Sequence, residues 1–319
     1  MKSSFFAKTA ALLCAITAAT ITLSHANIIT VTNNNDSGAG SLRQAIADAA
    51  DGDTINFNAS VTGTITLTSG ALTFDNKSLS IEGPGADTLT ISGNNADRVF
   101  LIGSNSGSPG RTLSISGLMM TGGATTGDGG ALKNVAWYTA TISDCVITGN
   151  SANGVGGAVS EVFDNVTLNN CVITGNSSLA DGGGIASGFS TPNSFDINNC
   201  TISNNTAAGL GGGILNGSGC TMTISNSTVS GNMSKSGGGF WQTGSTVMMT
   251  NCTISGNTTT DSGAQGVASG IGFHRGSATL TACTISGNSG PAANDAGAFN
   301  DQGGSVPTIE NTIIAGNFA

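Results

Sequence analysis

One short phrase recurs down most of the chain, and few folds can accept a sequence built this way. It reads Cys145-Val146-Ile147-Thr148-Gly149-Asn150, then Cys171-Val172-Ile173-Thr174-Gly175-Asn176. It returns from Cys200 to Asn205, from Cys252 to Asn257 and from Cys283 to Asn288. Ser227 to Asn232 and Thr312 to Asn317 are copies without the cysteine, and Leu118 to Gly123 is a weaker first copy. Successive copies start 27, 26, 29, 27, 25, 31 and 29 residues apart. A period of this length marks a quasi-one-dimensional repeat protein, in which each unit buries its apolar face against its neighbours.

Within each copy the cysteine and the residue two later share parity, as in Cys145 with Ile147 or Cys252 with Ile254. A period of two means a strand with one buried face. Val146, Val172, Thr201, Thr228 and Thr253 then face the other way. Just upstream, Ala140/Ile142, Val166/Leu168, Phe195/Ile197, Met222/Ile224, Val247/Met249 and Ala278/Leu280 read as inward pairs of a second strand. Its parity is opposite, so the chain must turn a corner at Ser143-Asp144, Asn169-Asn170 and Asn198-Asn199. Glycines followed by one apolar residue, such as Gly129-Gly130-Ala131-Leu132 and Gly182-Gly183-Gly184-Ile185, read as a third strand. No Lys-Ser/Thr follows them, so they are not phosphate loops. Three short strands and three corners per rung predict an all-β, right-handed parallel β-helix with rungs about 4.8 Å apart. The terminal asparagines, Asn150 through Asn317, are expected to adopt left-handed geometry and to stack in a hydrogen-bonded column.

The two ends differ from the repeats. Residues 1–26 have basic Lys2 and Lys8, an apolar run from Ala10 to Leu23, and small residues at Ser24 and Ala26. This is the pattern of a secretory signal peptide. Residues 27–57 read as an N-terminal capping segment. In it, Leu42, Ala45, Ile46 and Ala49 fall at helical spacing, Ser41 with Gln44 forms a capping box, and Gly52 suits the C-terminal cap. That short helix is expected to close the top of the column. Residues 58–319 form the β-helix itself, with the first strand expected at Asp53–Phe57.

Charge and cysteine usage exclude several functions. The formal charge is −9, and it becomes −11 when Lys2 and Lys8 leave with the leader. Such a surface disfavours nucleic acid and anionic lipid as partners. Six cysteines remain. Five occupy one place in successive repeats, which points to a buried column of free thiols rather than disulfides, with Cys220 outside it and the first expected to react. No CxxC or Cys/His pattern supports zinc.

Catalytic residues are sparse. β-Helix lyases need acids to hold Ca²⁺ and a nearby Arg or Lys base, and hydrolases need paired carboxylates. Beyond residue 118 the only basic side chains of Lys and Arg type are Lys133, Lys235 and Arg275. Asp128 and Asp181 hold matching places two rungs apart, Asp144 replaces a corner Asn, and Asp164 and Asp196 are out of register. No catalytic residue, metal or cofactor is therefore assigned, Ca²⁺ included. His274-Arg275 beside Asp261 is the remaining cluster. Aromatic side chains can stack on sugars, and Trp137, Tyr138, Phe163, Phe189 and Trp241 lie on or after the glycine strand. Trp241 and Tyr138 are the ones expected to be exposed. The candidate ligand-binding residues are Trp137, Tyr138, Trp241, His274 and Arg275. Length variation falls between the phrase and the glycines, so loops decorate one edge, often the binding edge of a solenoid.

Two segments carry a family resemblance. Asn35-Asp36-Ser37-Gly38-Ala39-Gly40-Ser41-Leu42-Arg43-Gln44-Ala45-Ile46, followed by Gly52-Asp53-Thr54-Ile55, resembles the "CSLREA" opening of right-handed parallel β-helix surface proteins. Gly40 replaces that motif's cysteine and Gln44 its glutamate. The Gly-Gly-Ala-Leu/Val/Ile segments resemble the repeats of the chlamydial polymorphic outer-membrane protein family, with Ile-Thr/Ser-Gly-Asn where that family has Phe-x-x-Asn. The resemblance spans about residues 30–319. It implies an exported protein, extracellular or at the cell surface in association with the outer membrane. It also implies an adhesin-like or glycan-binding role towards glycans or other host or neighbour surface molecules. A polysaccharide lyase or glycoside hydrolase, and a passive structural spacer, are the alternatives. Such proteins usually continue beyond a segment like Asn311–Asn317, so truncation at the C-terminus is expected, with self-association at the exposed last rung.

Overall fold

The computed structural model describes residues 26–318 apart from 104–108, 136–137, 163–164, 189–192, 261–267, 292–296, 302 and 304–306. The signal-peptide assignment therefore lies outside the described residues, except for Ala26. Every strand pairing among them is parallel, and each rung stacks on the next in an 18-stranded, a 10-stranded and a 6-stranded sheet. The chain is a parallel β-helix.

The 10-stranded sheet is built from the strand of the repeated phrase, and runs from Gly63–Thr66 to Ile313–Ala315. Alternation decides which side chains are buried. Ile147, Ile173, Ile202, Val229, Ile254 and Ile285 point into the core and are at most 1% exposed. The upstream inward pairs are buried as the parity requires, from Ala140 and Ile142 to Ala278 and Leu280. They belong to the 18-stranded sheet together with the strands that follow the glycines. In two late rungs both segments fuse into single strands, Phe240–Thr250 and Ile271–Thr281.

The strand expected at the glycine segment does form from its apolar residue onward, as Leu132–Asn134 and Val159–Glu161, but it joins the 18-stranded sheet, so the third face differs from the sequence expectation. It is a two-residue strand just after the terminal Asn, as in Ser151–Ala152 paired with Ser177–Ser178. The glycine runs are the close corner that follows. A Cβ on Gly130 would lie 2.2 Å from the Gly157 carbonyl oxygen, and one on Gly157 would lie 2.2 Å from that of Gly183. Only glycine lets the rungs approach this closely.

The terminal Asn is also not the left-handed residue. That conformation belongs to the residue before it: Gly149 at φ 64°, Gly175 at 65° and Asn204 at 54°. The Asn turns inward instead and forms a ladder. Asn176 Oδ1 accepts from the Asn150 backbone N–H and Nδ2, both at 3.0 Å. Asn205 does the same for Asn176, and the pattern continues to Asn317. Each buried amide also donates to backbone carbonyls, so a polar column survives inside an apolar core because its groups are paired.

All six described cysteines are free and buried. The five in the phrase donate to backbone carbonyls beside them, for example Cys145 Sγ to Ser143 O at 3.1 Å. Cys220 lies outside their column but is equally buried, and Ser187 Oγ donates to its sulfur at 3.5 Å. Burial pushes the thiols of Cys145 and Cys220 up to about 12. Burial therefore shields Cys220 as it shields the column thiols, because a buried thiol that stays protonated is a poor nucleophile.

At the N-terminus, Ile28–Val31 already pairs with Thr54–Phe57, so the column begins ahead of the helix and not at Asp53. The helix is Leu42–Asp48. Ser41 Oγ accepts from Gln44 N at 3.1 Å, but Gln44 Nε2 donates to Asp48 rather than returning to Ser41. Half of the capping box forms. The C-cap is Ala49, not Gly52. Lys77 Nζ reaches the last turn and donates to the carbonyls of Ile46, Ala47 and Ala49 at 2.6, 3.1 and 2.9 Å, a favourable site for a cation. Leu42, Ala45 and Ile46 join the same core cluster as Ile55 and Ile81, and so cover the first rungs. Among the described residues no helix is long and apolar enough to cross a membrane.

Candidate ligand-binding site

The aromatic side chains do not form the exposed platform that the sequence suggests. Tyr138 is 0% exposed. Its hydroxyl donates to Lys77 O at 2.9 Å and accepts from Lys77 N at 3.0 Å, tying together residues 61 apart in sequence. Burial pushes this phenol above its ordinary range. Trp241 is 4% exposed and packs with Ala186 and Leu215 in a small cluster outside the main core. Its indole lies on Gly272, where a Cβ would come within 2.1 Å of the ring, and its N–H donates to Thr243 Oγ1 at 3.1 Å. The expected exposure of Tyr138 and Trp241 is thus corrected. Both are structural: Tyr138 lies in the main core with its hydroxyl paired to the Lys77 backbone, and Trp241 finds apolar area against Ala186, Leu215 and Gly272. Trp137, Phe163 and Phe189 lie outside the described residues.

His274 and Arg275 sit side by side in the strand Ile271–Thr281, half-buried and exposed respectively. Arg275 has φ 65°, where the strand bends ahead of Gly276. Asp261, their expected partner, lies outside the described residues, as does Asp164.

Asp128, Asp181 and Asp144 each have hydrogen-bond partners. Asp128 Oδ2 pairs with Lys133 Nζ at 2.8 Å, while its Oδ1 accepts from Val155 N at 3.1 Å. Burial raises this carboxyl, but the Lys133 and Val155 hydrogen bonds and the Lys133 charge outweigh it and hold it below the usual range. Asp181 Oδ1 accepts from Leu210 N at 2.7 Å. Both acids therefore staple one rung to the next. Asp144 accepts from Asn170 Nδ2 at 3.0 Å in an outer corner ladder. Among the described residues no group of three His, Cys, Asp or Glu side chains could hold a metal ion.

A polar groove lies where the sequence places variable loops, between the phrase and the glycines. Its volume is about 340 Å³, and it is lined by Asn95, Ala96, Asp97, Ala124, Thr125, Thr126, Ser151 and Asn153. Three successive rungs supply these residues. Asp97 in its lining is fixed by backbone donors, with Oδ2 accepting from Ala71 N at 3.2 Å and Oδ1 from Arg98 N at 2.8 Å. Arg98 Nη2 donates to Thr125 Oγ1 at 2.9 Å. The groove thus offers amides and hydroxyls at hydrogen-bonding spacing, beside an Asp whose oxygens already have partners. Sequence reasoning found the edge but not these residues, because no motif repeats among them.

Comparison with known proteins agrees with this architecture. The family described as right handed beta helix region matches residues 131–318. No curated protein sequence matches significantly. Among solved structures, the A-module of mannuronan C-5 epimerase AlgE4 from Azotobacter vinelandii has a TM-score of 0.45 at 13% identity, covering 90% of this chain and 97% of that one. The A-module of the AlgE6 epimerase from the same organism has a TM-score of 0.36 at 14% identity, covering 88% and 97%. Likenesses this distant bear on neither activity nor substrate. The in-register parallel rungs and the family match over residues 131–318 lead to one statement: the chain belongs to the right-handed beta helix family.

Proposed function

We propose that this chain is an exported, surface-located β-helix that binds neutral glycans in an adhesin-like role and does not cleave them. The observation that carries this reading is the groove at Asn95, Thr125, Thr126, Ser151 and Asn153. Its open shape and its amide and hydroxyl lining suit a polyhydroxylated ligand of one or two sugar units. The low charge of the chain, with only 8% charged residues, suits a neutral ligand as well. Cleavage is not part of the proposal. Both oxygens of Asp97 and both of Asp128 are engaged by backbone amides or Lys133. A hydrolase needs one carboxyl free to give a proton and another free to attack or to activate water.

The test is a glycan array probed with the folded protein, followed by titration of the best neutral oligosaccharide. Asn153→Ala and Thr126→Ala are each expected to weaken binding about fivefold, the loss of one net hydrogen bond of ~1 kcal/mol. An array with no ligand would leave only a structural spacer. Release of cleaved products, lost in Arg275→Ala, would restore the lyase alternative.

A further inference from the structure

The outward face of the 10-stranded sheet, remote in sequence from the groove residues at most rungs, has a regularity that the groove lacks. Two columns of side chains point out of it. One starts at Thr64 and passes through Thr90, Thr201 and Thr228 to Ile313; the other starts at Thr66 and passes through Ser92, Ser203 and Ser230 to Ala315. Each neighbouring pair of strands is parallel and in register, so neither column is staggered. Thr or Ser fills every position except Met119, Val146, Val172, Ile313 and Ala315. No charged residue occurs in either column over ten strands.

The spacing follows from strand geometry. Members of one column are about 4.8 Å apart along the axis, and residues i and i+2 are about 6.7 Å apart along the strand. The result is a two-dimensional lattice of hydroxyls and methyls. Threonine is stiff about χ1, so these groups hold their positions. The stacked side chains are mostly half-buried, and Ser203 Oγ donates to Thr174 Oγ1 at 3.1 Å. Side-chain ladders help to keep many-stranded sheets flat, and the buried Asn ladder runs along the edge of this sheet. The outer columns of the 18-stranded sheet are different. They carry Glu82, Asp196 and Glu310 among their hydroxyls.

A face with this pattern complements a ligand that is uncharged and repeats in two directions. A soluble glycan chain repeats in only one. An ice surface repeats in two, presents only hydrogen-bond donors and acceptors, and has oxygen spacings close to the rung repeat. Charged groups would hold their own hydration shells and disrupt that order, and here they are absent. We propose that this face binds ice: threonine and serine hydroxyls take lattice oxygen positions, and threonine methyls sit between them. Adsorption there would stop growth of the underlying crystal plane. This proposal is independent of glycan binding in the groove.

The experiment is nanolitre osmometry on the folded chain, with partition into a growing ice hemisphere. The wild-type protein is expected to freeze below its melting point, to facet ice crystals and to enter the ice. The double variant Thr228→Tyr/Thr253→Tyr should lose at least tenfold of the freezing gap. Thr223→Tyr, on the other sheet, should keep it. Circular dichroism melts confirm that each variant is folded, and Thr201→Lys replaces the double variant if that one unfolds. Exclusion of the folded wild type from ice overturns the proposal. So does equal loss in Thr223→Tyr, or adsorption through this face to an insoluble neutral polysaccharide without any freezing gap. Oligosaccharide titration of the wild type decides the groove separately.

Discussion

The corner ahead of each phrase strand is a single residue in left-handed geometry: Asp144, Asn170, Asn199, Asn226 and Asn251 at φ 51–53°, then Ala282 at 54° and Asn311 at 48°. Asn and Asp adopt this conformation with little strain because their short side chains bond locally. Here they also bond each other across rungs, as Asn199 Nδ2 does to Asn170 Oδ1 at 2.8 Å. Ala282 has no such side chain. Ala282→Asn should therefore stabilise the chain by about 1 kcal/mol, seen as a higher urea midpoint with an unchanged slope. A lower midpoint would show that Ala282 is held by packing rather than tolerated. The corners and the cysteine column are legible in the sequence because they recur. Tyr138 and Trp241 are not. Each occurs once, and the groups that bury them, Lys77 and Gly272, lie in other rungs.

Two elements hold the column together, the Asn ladder inside and the cap at the N-terminus. Asn205 accepts from Asn176 and donates to Ile173 O and Asn232 Oδ1, all while buried. Asn205→Ala leaves several buried groups without partners, at about 1–3 kcal/mol each. A loss of roughly 3 kcal/mol or more is expected in denaturant melts, whereas Asn317→Ala, half-exposed on the last rung, should lose less. Equal losses would mean that the ladder is no stronger in the interior. In the cap, Asp36 is pushed up by burial. Hydrogen bonds from Ser69, Arg43 and Thr68 and the Arg43 charge outweigh this and hold it at about 2, against an ordinary 3.8. Asp51 and Asp53 are also lowered, chiefly by backbone N–H donors. A carboxyl with a depressed folded pKa binds its proton more tightly when unfolded. Its contribution is complete above the unfolded value and is lost as pH falls from 3.8 towards about 2. Amide exchange in Leu42–Asp48 should accelerate over that window before the central rungs change. Simultaneous loss everywhere would show that the cap is not a separate unit. The helix is visible in the sequence through its spacing and Ser41. Its C-terminus is not, because the group that caps it is Lys77, a rung away.

At the scale of the whole molecule, nearest-neighbour stacking explains both what the sequence reveals and what it hides. Periodic hydrophobicity gives the rungs, their register and their inward faces, since each rung repeats the same burial problem. The third face is hidden because a two-residue strand such as Thr206–Ala207 is too short to show a period. The adjacent glycines read as a strand although they mark close approach of rungs. The groove is hidden because Asn95, Thr125 and Asn153 come from different rungs and share no motif. The hydroxyl face becomes visible only once the register is known. The central proposal built on this arrangement is that the surface binds by neutral hydrogen bonding and without bond cleavage. Titration of the best neutral oligosaccharide at low and high salt, with product analysis of the same samples, tests it most directly. Neutral contacts lack the ionic component that salt screens, so the affinity should stay within about twofold and the oligosaccharide should remain intact. A steep loss of affinity with salt, or shortened products, would contradict it.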